Sequence, residues 1–217
     1  MKAFFAPAAP YALARVWMDG LWEDKARRIE RMRRDTDKAL ALTAHRLLCY
    51  AVKTVYDIVP GPQDFGLMVR GKPYLVTAPD IHFSISHSGG MAMCALHGEP
   101  VGADIEKARL VGKGVPERVM SEAEYRLYRD AEDRQTLFFQ IWTLKEAFIK
   151  YSGEGLGIPL RSFTVCPSGS GIITDTGCAF WLMQPADGYQ AAVCAKGGAE
   201  PEIVMVSEEQ LARPLGK

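Results

Sequence analysis

The chain has no surplus of either charge: 26 lysines and arginines offset 26 aspartates and glutamates. No global field therefore draws it to nucleic acid or to an anionic membrane, and any basic function must be local. It has no C-x-x-C pair. Its five cysteines, Cys49, Cys94, Cys166, Cys178 and Cys194, are odd in number and scattered, which argues against a disulfide framework and fits a reducing, cytoplasmic setting. No Cys or His spacing resembles a zinc site. Long apolar runs are missing too. Met1 to Tyr11 is interrupted by Pro7 and Pro10, too short for a signal segment or a membrane span, and reads as a first strand.

What remains is 217 residues of ordinary globular composition, 48% hydrophobic, long enough for one compact body or two fused small halves. Asp24 to Tyr56 has a helical pattern, charged first and then apolar through Leu40, Leu47, Leu48 and Val55, and predicts a helix or helix pair stopped by Pro60, Gly61 and Pro62. Gly71-Lys72-Pro73 marks a turn between two short extended pieces. Ile81 to Ser86 alternates apolar and polar residues, the period of a half-buried strand, and Gly89-Gly90 turns the chain into a returning strand, Met91 to Leu96. Val101 to Glu106 is a further strand. Ser121-Glu122-Ala123-Glu124 is a capping box that starts a helix. Leu137, Ile141, Leu144, Phe148 and Tyr151 then form one apolar stripe of the strongest helix, ended by Gly153 and Gly155. Beyond Pro159 come strands at Ser162 to Cys166, Gly171 to Asp175, Cys178 to Met183, Tyr189 to Ala195 and Ile203 to Val206, with a helical turn at Ser207 to Leu211. Helix followed by strands in each half predicts two similar α+β halves, residues 1–100 and 101–217, meeting near Pro100.

Asp104 and Glu106 stand two apart on a strand, so both carboxylates point to one face, away from Ala103 and Ile105. Two like charges so placed repel unless a cation lies between them, and oxygen ligands suit magnesium; the same spacing also describes a solvated strand face. Glu146 and Lys150, four apart, share the helix face opposite the stripe, as an exposed ion pair or as a third metal carboxylate with a proton shuttle or phosphate clamp. His87, at a strand end before Ser88-Gly89-Gly90, is placed where an imidazole can meet a phosphate. Lys25, Arg27, Arg28, Arg31, Arg33 and Arg34 form a basic stretch interleaved with acids. It reads as a solvated helix from which one or two residues can reach a nucleotide phosphate, and it lacks the interleaved aromatics of a nucleic-acid surface.

The order of these features carries more than any one of them. Gly71-Lys72-Pro73, His82-Phe83-Ser84-Ile85-Ser86-His87-Ser88, Val101-Gly102-Ala103-Asp104-Ile105-Glu106, Trp142 to Lys150 and Gly153-Glu154-Gly155-Leu156 together closely resemble the Sfp-type 4′-phosphopantetheinyl transferases, from about Gly71 to Val165 and more loosely to the C-terminus. The resemblance implies a pseudo-dimer of α+β halves with coenzyme A and Mg2+ in the cleft between them. Asp104, Glu106 and Glu146 would hold the metal, Lys150 would stand near the reacting phosphate, and Lys72 and Lys145 would touch phosphate. Ser86 and His87 would contact the 3′-phosphoadenosine part. The implied activity is of the holo-[acyl-carrier-protein] synthase type: a carrier serine attacks the β-phosphate of coenzyme A and 3′,5′-adenosine bisphosphate leaves. Glu146 is the first candidate for the base and Glu124 the second. The apo acyl or peptidyl carrier protein would dock near Arg109 to Met120, on a monomer with no nucleic-acid or membrane partner.

Two positions depart from the family pattern. Ala103 fills an apolar place conservatively, and Leu40 falls where an arginine gripping coenzyme A is expected, with Lys38 and Arg46 as substitutes, of which Lys38 is taken. Two other functions compete: a non-catalytic coenzyme A or nucleotide-binding protein, and another metal-dependent phosphoryl-transfer enzyme acting without a carrier.

Overall fold

The fold is α+β, described from a computed structural model for residues 1–169 and 171–216, with the side chain of Leu156 left out. In chain order the strands are β1 (Lys2–Pro7), β2 (Phe65–Leu67), β3 (Pro73–Leu75), β4 (His82–Ser88), β5 (Met91–His97), β6 (Val101–Lys107), β7 (Val165–Ser168), β8 (Gly171–Thr174), β9 (Ala179–Met183), β10 (Tyr189–Ala195) and β11 (Glu202–Met205). The helices are α1 (Tyr11–Ala14), α2 (Glu23–Glu30), α3 (Asp35–Tyr56), α4 (Val115–Val119), α5 (Glu122–Asp130), α6 (Arg134–Ser152) and α7 (Glu208–Ala212). One sheet has the order β11-β1-β5-β4 and another β6-β10-β9.

Alternation along the strands builds the layers. Phe4, Ala6, Cys94 and Leu96 turn toward α3, while Ala3, Phe5, Met93 and Ala95 turn the other way and meet Val101, Ala103, Ile105 and Val193 of the second sheet. Ala192 and Cys194 show the opposite face of that sheet to Leu144 and Ala147 of α6. The result is helix, sheet, sheet, helix, each interface closed by apolar side chains. The turn at Pro100 divides the strands of the two sheets with one exception: β11 returns to pair in parallel with β1, and Leu211 of α7 joins the core under α3.

Both long helices have readable ends. Asp35 and Asp37 lie in the first turn of α3, where the helix dipole favours negative charge. In α6 the Asp133 carboxylate accepts the Thr136 N–H, and Gly153, at φ 73°, closes the last turn. The single apolar stripe expected on α6 is corrected by the structure. Ile141 and Leu144 are fully buried, but Leu137, Phe148 and Tyr151 are only half-buried, and Phe138, Thr143, Lys145, Ala147 and Ile149 are buried as well. Packed on the second sheet and also on the segment around Phe163, α6 buries more than one face.

Gly102 sets how close α6 comes to β6. A Cβ there would lie 2.0 Å from the Ala147 carbonyl oxygen and 2.3 Å from the Tyr151 nitrogen, both backbone atoms that cannot swing aside. Only glycine permits this approach, and it brings residues 104 and 106 of the strand beside residues 146 and 150 of the helix.

Candidate functional site

With Val101, Ala103 and Ile105 buried between the sheets, the two-residue period turns Asp104 and Glu106 toward α6. The Lys150 ammonium donates to Asp104 Oδ1 at 2.7 Å, and the Ser86 hydroxyl donates to the same oxygen at 2.6 Å. Asp104 Oδ2 is buried and has no hydrogen-bond partner. Burial drives the Asp104 carboxyl above the ordinary range, against the pull of Lys150 and Ser86. Glu106 Oε2 accepts from Ser88 at 2.6 Å and from Arg109 at 2.8 Å. Glu146, one turn before Lys150, is also raised, by burial first and then by the negative charge of Asp104. The three carboxylates therefore feel one another. Among the described residues, however, no three acidic, histidine or cysteine side chains stand together as a formed cation site; the charge of Asp104 is met by Lys150.

Two cavities meet at Lys150. The larger, of about 470 Å³, is lined on one side by Lys25, Arg28 and His87 and on another by Trp22, Ile29 and Ile85. Burial lowers the Lys25 ammonium to about 8. The His87 ring keeps an exposed edge; partial desolvation in the cleft lowers it, helped by the cations Lys150, Lys25 and Arg28. The smaller cavity, of about 250 Å³, shares Gly71, Pro73, Ile85 and Lys150; Phe83, Ile149, Gly153 and Gly155 wall it further, with Arg70, Lys72 and Ser84 as its other polar lining.

Of the residues singled out in the sequence, Lys150, Ser86 and His87 line these cavities, with Asp104 bonded to Lys150 and Ser86, Glu106 two places along the strand, and Glu146 one turn before Lys150. Ser86 turns its hydroxyl to Asp104, although the residue lines the larger cavity. Lys72 borders the smaller cavity, but its ammonium donates to the carbonyls of Val101 at 3.1 Å and Tyr151 at 3.3 Å. It ties β3 to β6 and to the end of α6.

Lys145 is a correction. Its side chain is 0% exposed and paired with the equally buried Glu124 at 2.8 Å, and it donates to the Leu160 and Phe163 carbonyls at 2.6 and 2.7 Å. Its ammonium is engaged by these partners, and it is not among the residues lining either cavity at Lys150. Glu124 closes the capping box on the Ser121 N–H and accepts the Val165 N–H, a structural role that removes it as a base. Lys38 lies over the Tyr11 ring, 5.8 Å from its centroid, and is not among the residues lining either cavity at Lys150. Leu40 lines a separate hollow beside Gly89 and Gly90. In the segment Arg109 to Met120, Met120 is core and Val111, Val115 and Val119 pack against it, while Leu110 is 93% exposed. Leu156 ends the last matched motif, and its side chain lies outside the described residues.

Of the basic stretch, from which one or two residues were expected to reach a phosphate, Lys25 and Arg28 are the ones that line the larger cavity. Their spacing of three places them on one side of α2, beside Ile29, which is buried. That helical phase was the available signal.

The family model described as the 4′-phosphopantetheinyl transferase superfamily matches residues 100–194. The 4′-phosphopantetheinyl transferase Sfp of Bacillus subtilis (strain 168) is 32% identical over 204 residues, covering 90% of this chain and 91% of that protein. A 4′-phosphopantetheinyl transferase of Bacillus subtilis is 34% identical, covering 79% and 80%, and the psf-1 transferase of Bacillus pumilus is 32% identical, covering 88% and 86%. With its motifs on one cleft and its likeness extending over nine-tenths of a relative, this chain belongs to the 4′-phosphopantetheinyl transferase superfamily and is of the Sfp type.

Proposed function

We propose that this chain transfers the 4′-phosphopantetheine moiety of coenzyme A to a serine of an apo acyl or peptidyl carrier protein, in a Mg2+-dependent reaction. The observation that carries this reading is that Lys150, at which two cavities of different character meet, is bonded to Asp104 and shares its surroundings with Glu146 and Glu106. The cavity with Lys25, Arg28 and His87 suits the 3′-phosphoadenosine end of coenzyme A, because cations there meet phosphate. The smaller cavity, walled by Phe83, Ile85 and Ile149, suits the largely neutral pantetheine arm. The diphosphate joining these ends would lie at Lys150.

The residues fit a hard divalent cation. All three candidate donors are carboxylates, one oxygen of Asp104 is buried without a partner, and Asp104 and Glu146 are both raised in part by neighbouring negative charge. Asp104, Glu106 and Glu146 would hold it, and when bound it would neutralise charge on the diphosphate. Lys150 then stabilises negative charge on the phosphate oxygens. Glu146 takes the proton of the carrier serine; burial and the charge of Asp104 raise its proton affinity above that of an ordinary carboxylate. The serine oxygen forms a bond to the β-phosphorus, the bond from that phosphorus to the bridging oxygen breaks, and 3′,5′-adenosine bisphosphate leaves. Leu110 supplies an exposed apolar contact for the carrier beside Glu106 and Arg109.

Intact-mass analysis of several apo carriers, incubated with the protein, coenzyme A and Mg2+, tests the reading. A gain of roughly 340 Da, lost with Glu146→Gln and without metal, is the expected result of this phosphoryl transfer. Coenzyme A binding with no mass gain on any carrier would overturn the proposal in favour of a binding protein.

A further inference from the structure

Three serines, Ser84, Ser86 and Ser88, occupy alternate positions of β4 and so share one face. That face lies along β6, yet β4 and β6 belong to different sheets. The seam between them is made by hydroxyls. Ser84 Oγ accepts the Ala103 N–H at 2.9 Å, Ser86 donates to Asp104, and Ser88 donates to Glu106.

Ser88 has its proton direction fixed by its other partner. Its oxygen accepts the Lys107 N–H at 3.2 Å, and the hydroxyl proton goes to Glu106 Oε2, 2.6 Å away, because an ionised carboxylate can only accept. Arg109 reaches the same Oε2 from the solvent side at 2.8 Å. Among the described residues the bonds to the Glu106 carboxylate all go to that oxygen, which leaves Oε1 for another partner. Asp104 repeats the pattern one step along the strand: Oδ1 is held by a β4 serine and a cation, and Oδ2 is unpartnered. The two-residue period of the serines matches that of the carboxylates.

We propose that Ser88 is a positioning residue for the transferase reaction, whose hydroxyl fixes the Glu106 carboxylate so that its second oxygen is presented to the cation. The proposal rests on the reading of Glu106 as a metal ligand. The Ser88 hydroxyl is engaged by Glu106 and the Lys107 N–H, so it acts through Glu106 rather than on coenzyme A. Hydrogen-bond donors behind a ligating carboxylate restrict its rotation before the metal arrives, and their loss commonly costs ten- to a hundredfold in metal affinity (roughly).

The test uses Mn2+ as the probe, with free ion followed by electron paramagnetic resonance at saturating coenzyme A and no carrier protein. Wild type, Ser88→Ala, Ser88→Thr and Glu106→Gln are compared, and coenzyme A affinity is measured separately without metal. Ser88→Ala should weaken Mn2+ binding by about tenfold and Ser88→Thr, which keeps the hydroxyl, by less than about twofold. Coenzyme A affinity without metal should stay at the wild-type value in both. If Glu106→Gln weakens Mn2+ binding and Ser88→Ala does not, the role of Ser88 is refuted and the metal reading stands. If Glu106→Gln has no effect, the metal reading itself fails and takes the proposal with it. Loss of metal-free coenzyme A affinity in Ser88→Ala would make Ser88 a substrate contact and refute the positioning role. Should Ser88→Ala not fold, Ser88→Cys, similar in size with a weak donor, replaces it under the same expectations.

Discussion

Replacing Lys145 by methionine distinguishes a structural lysine from a phosphate ligand. The substitution keeps most of the aliphatic stem and removes the ammonium, which in the wild type meets Glu124 at 2.8 Å and two backbone carbonyls, with both charged side chains fully buried. Glu124 would then stay in the interior, still bonded to the Ser121 and Val165 N–H groups but without its cation. Breaking a buried pair from one side costs about 3–5 kcal/mol, mostly because the abandoned charge stays buried. For a chain of this size that lowers the thermal midpoint by roughly 6–20 °C. The assay is denaturant unfolding of wild type, Lys145→Met, Glu124→Gln and the double variant. The double variant should recover part of the loss, since neither charge is then left alone. The Michaelis constant for coenzyme A, measured where each variant is fully folded, should stay near wild type. A Lys145→Met protein with unchanged stability and a raised Michaelis constant for coenzyme A would refute this reasoning and return Lys145 to the phosphate.

Three further outcomes follow from the cleft. Lys25, lowered to about 8, carries its full charge below that pH and loses it above, so kcat/KM for coenzyme A should fall as pH rises through about 8. In Lys25→Arg, whose guanidinium stays charged, that fall should disappear from the pH profile. Gly102→Ala drives a methyl into the Ala147 and Tyr151 backbone; it should lose at least about 1–3 kcal/mol in urea unfolding, with kcat falling further as Asp104 moves from Lys150. Leu110→Asp, at a fully solvated position, should raise the Michaelis constant for the carrier several-fold (about 1 kcal/mol of lost contact) and leave that for coenzyme A unchanged.

How much of this was legible in the sequence depended on how local the cause was. The Ser121 capping box, the turns at Gly71 and Gly89-Gly90, and the alternation of β4 and β6 are set by residues a few positions apart, and the structure reproduces them. Strand edges shifted where tertiary pairing decided them: Ser162 to Thr164 falls outside β7, which begins at Val165 opposite Thr174. The parallel return of β11 to β1 left no local mark, because its partner lies two hundred positions earlier in the chain. Lys145 was misplaced for the same reason. Four residues of one helix, Lys145, Glu146, Ile149 and Lys150, point in directions that periodicity can assign relative to one another, but which side meets the cleft is decided by what packs on α6.

The seam between the two sheets explains why the carboxylates of β6 were the most readable part of the site and their supports the least. A strand's period places Asp104 and Glu106 on one face without reference to any neighbour. Their usefulness depends on Gly102, which brings α6 close, on Ser86 and Ser88 of a strand in the other sheet, and on Lys72, which holds Val101 and Tyr151 together from the β3 side. Each support is a small or ordinary residue whose function exists only across the seam, and serines at alternate positions are also what any half-exposed strand contains. Had β4 joined β6 through a backbone ladder, its N–H and C=O groups would have satisfied the edge of β6 and the hydroxyls would have been redundant. Keeping the sheets separate makes side chains carry that edge, so the contacts that close the fold also hold the charged groups of the cleft in place.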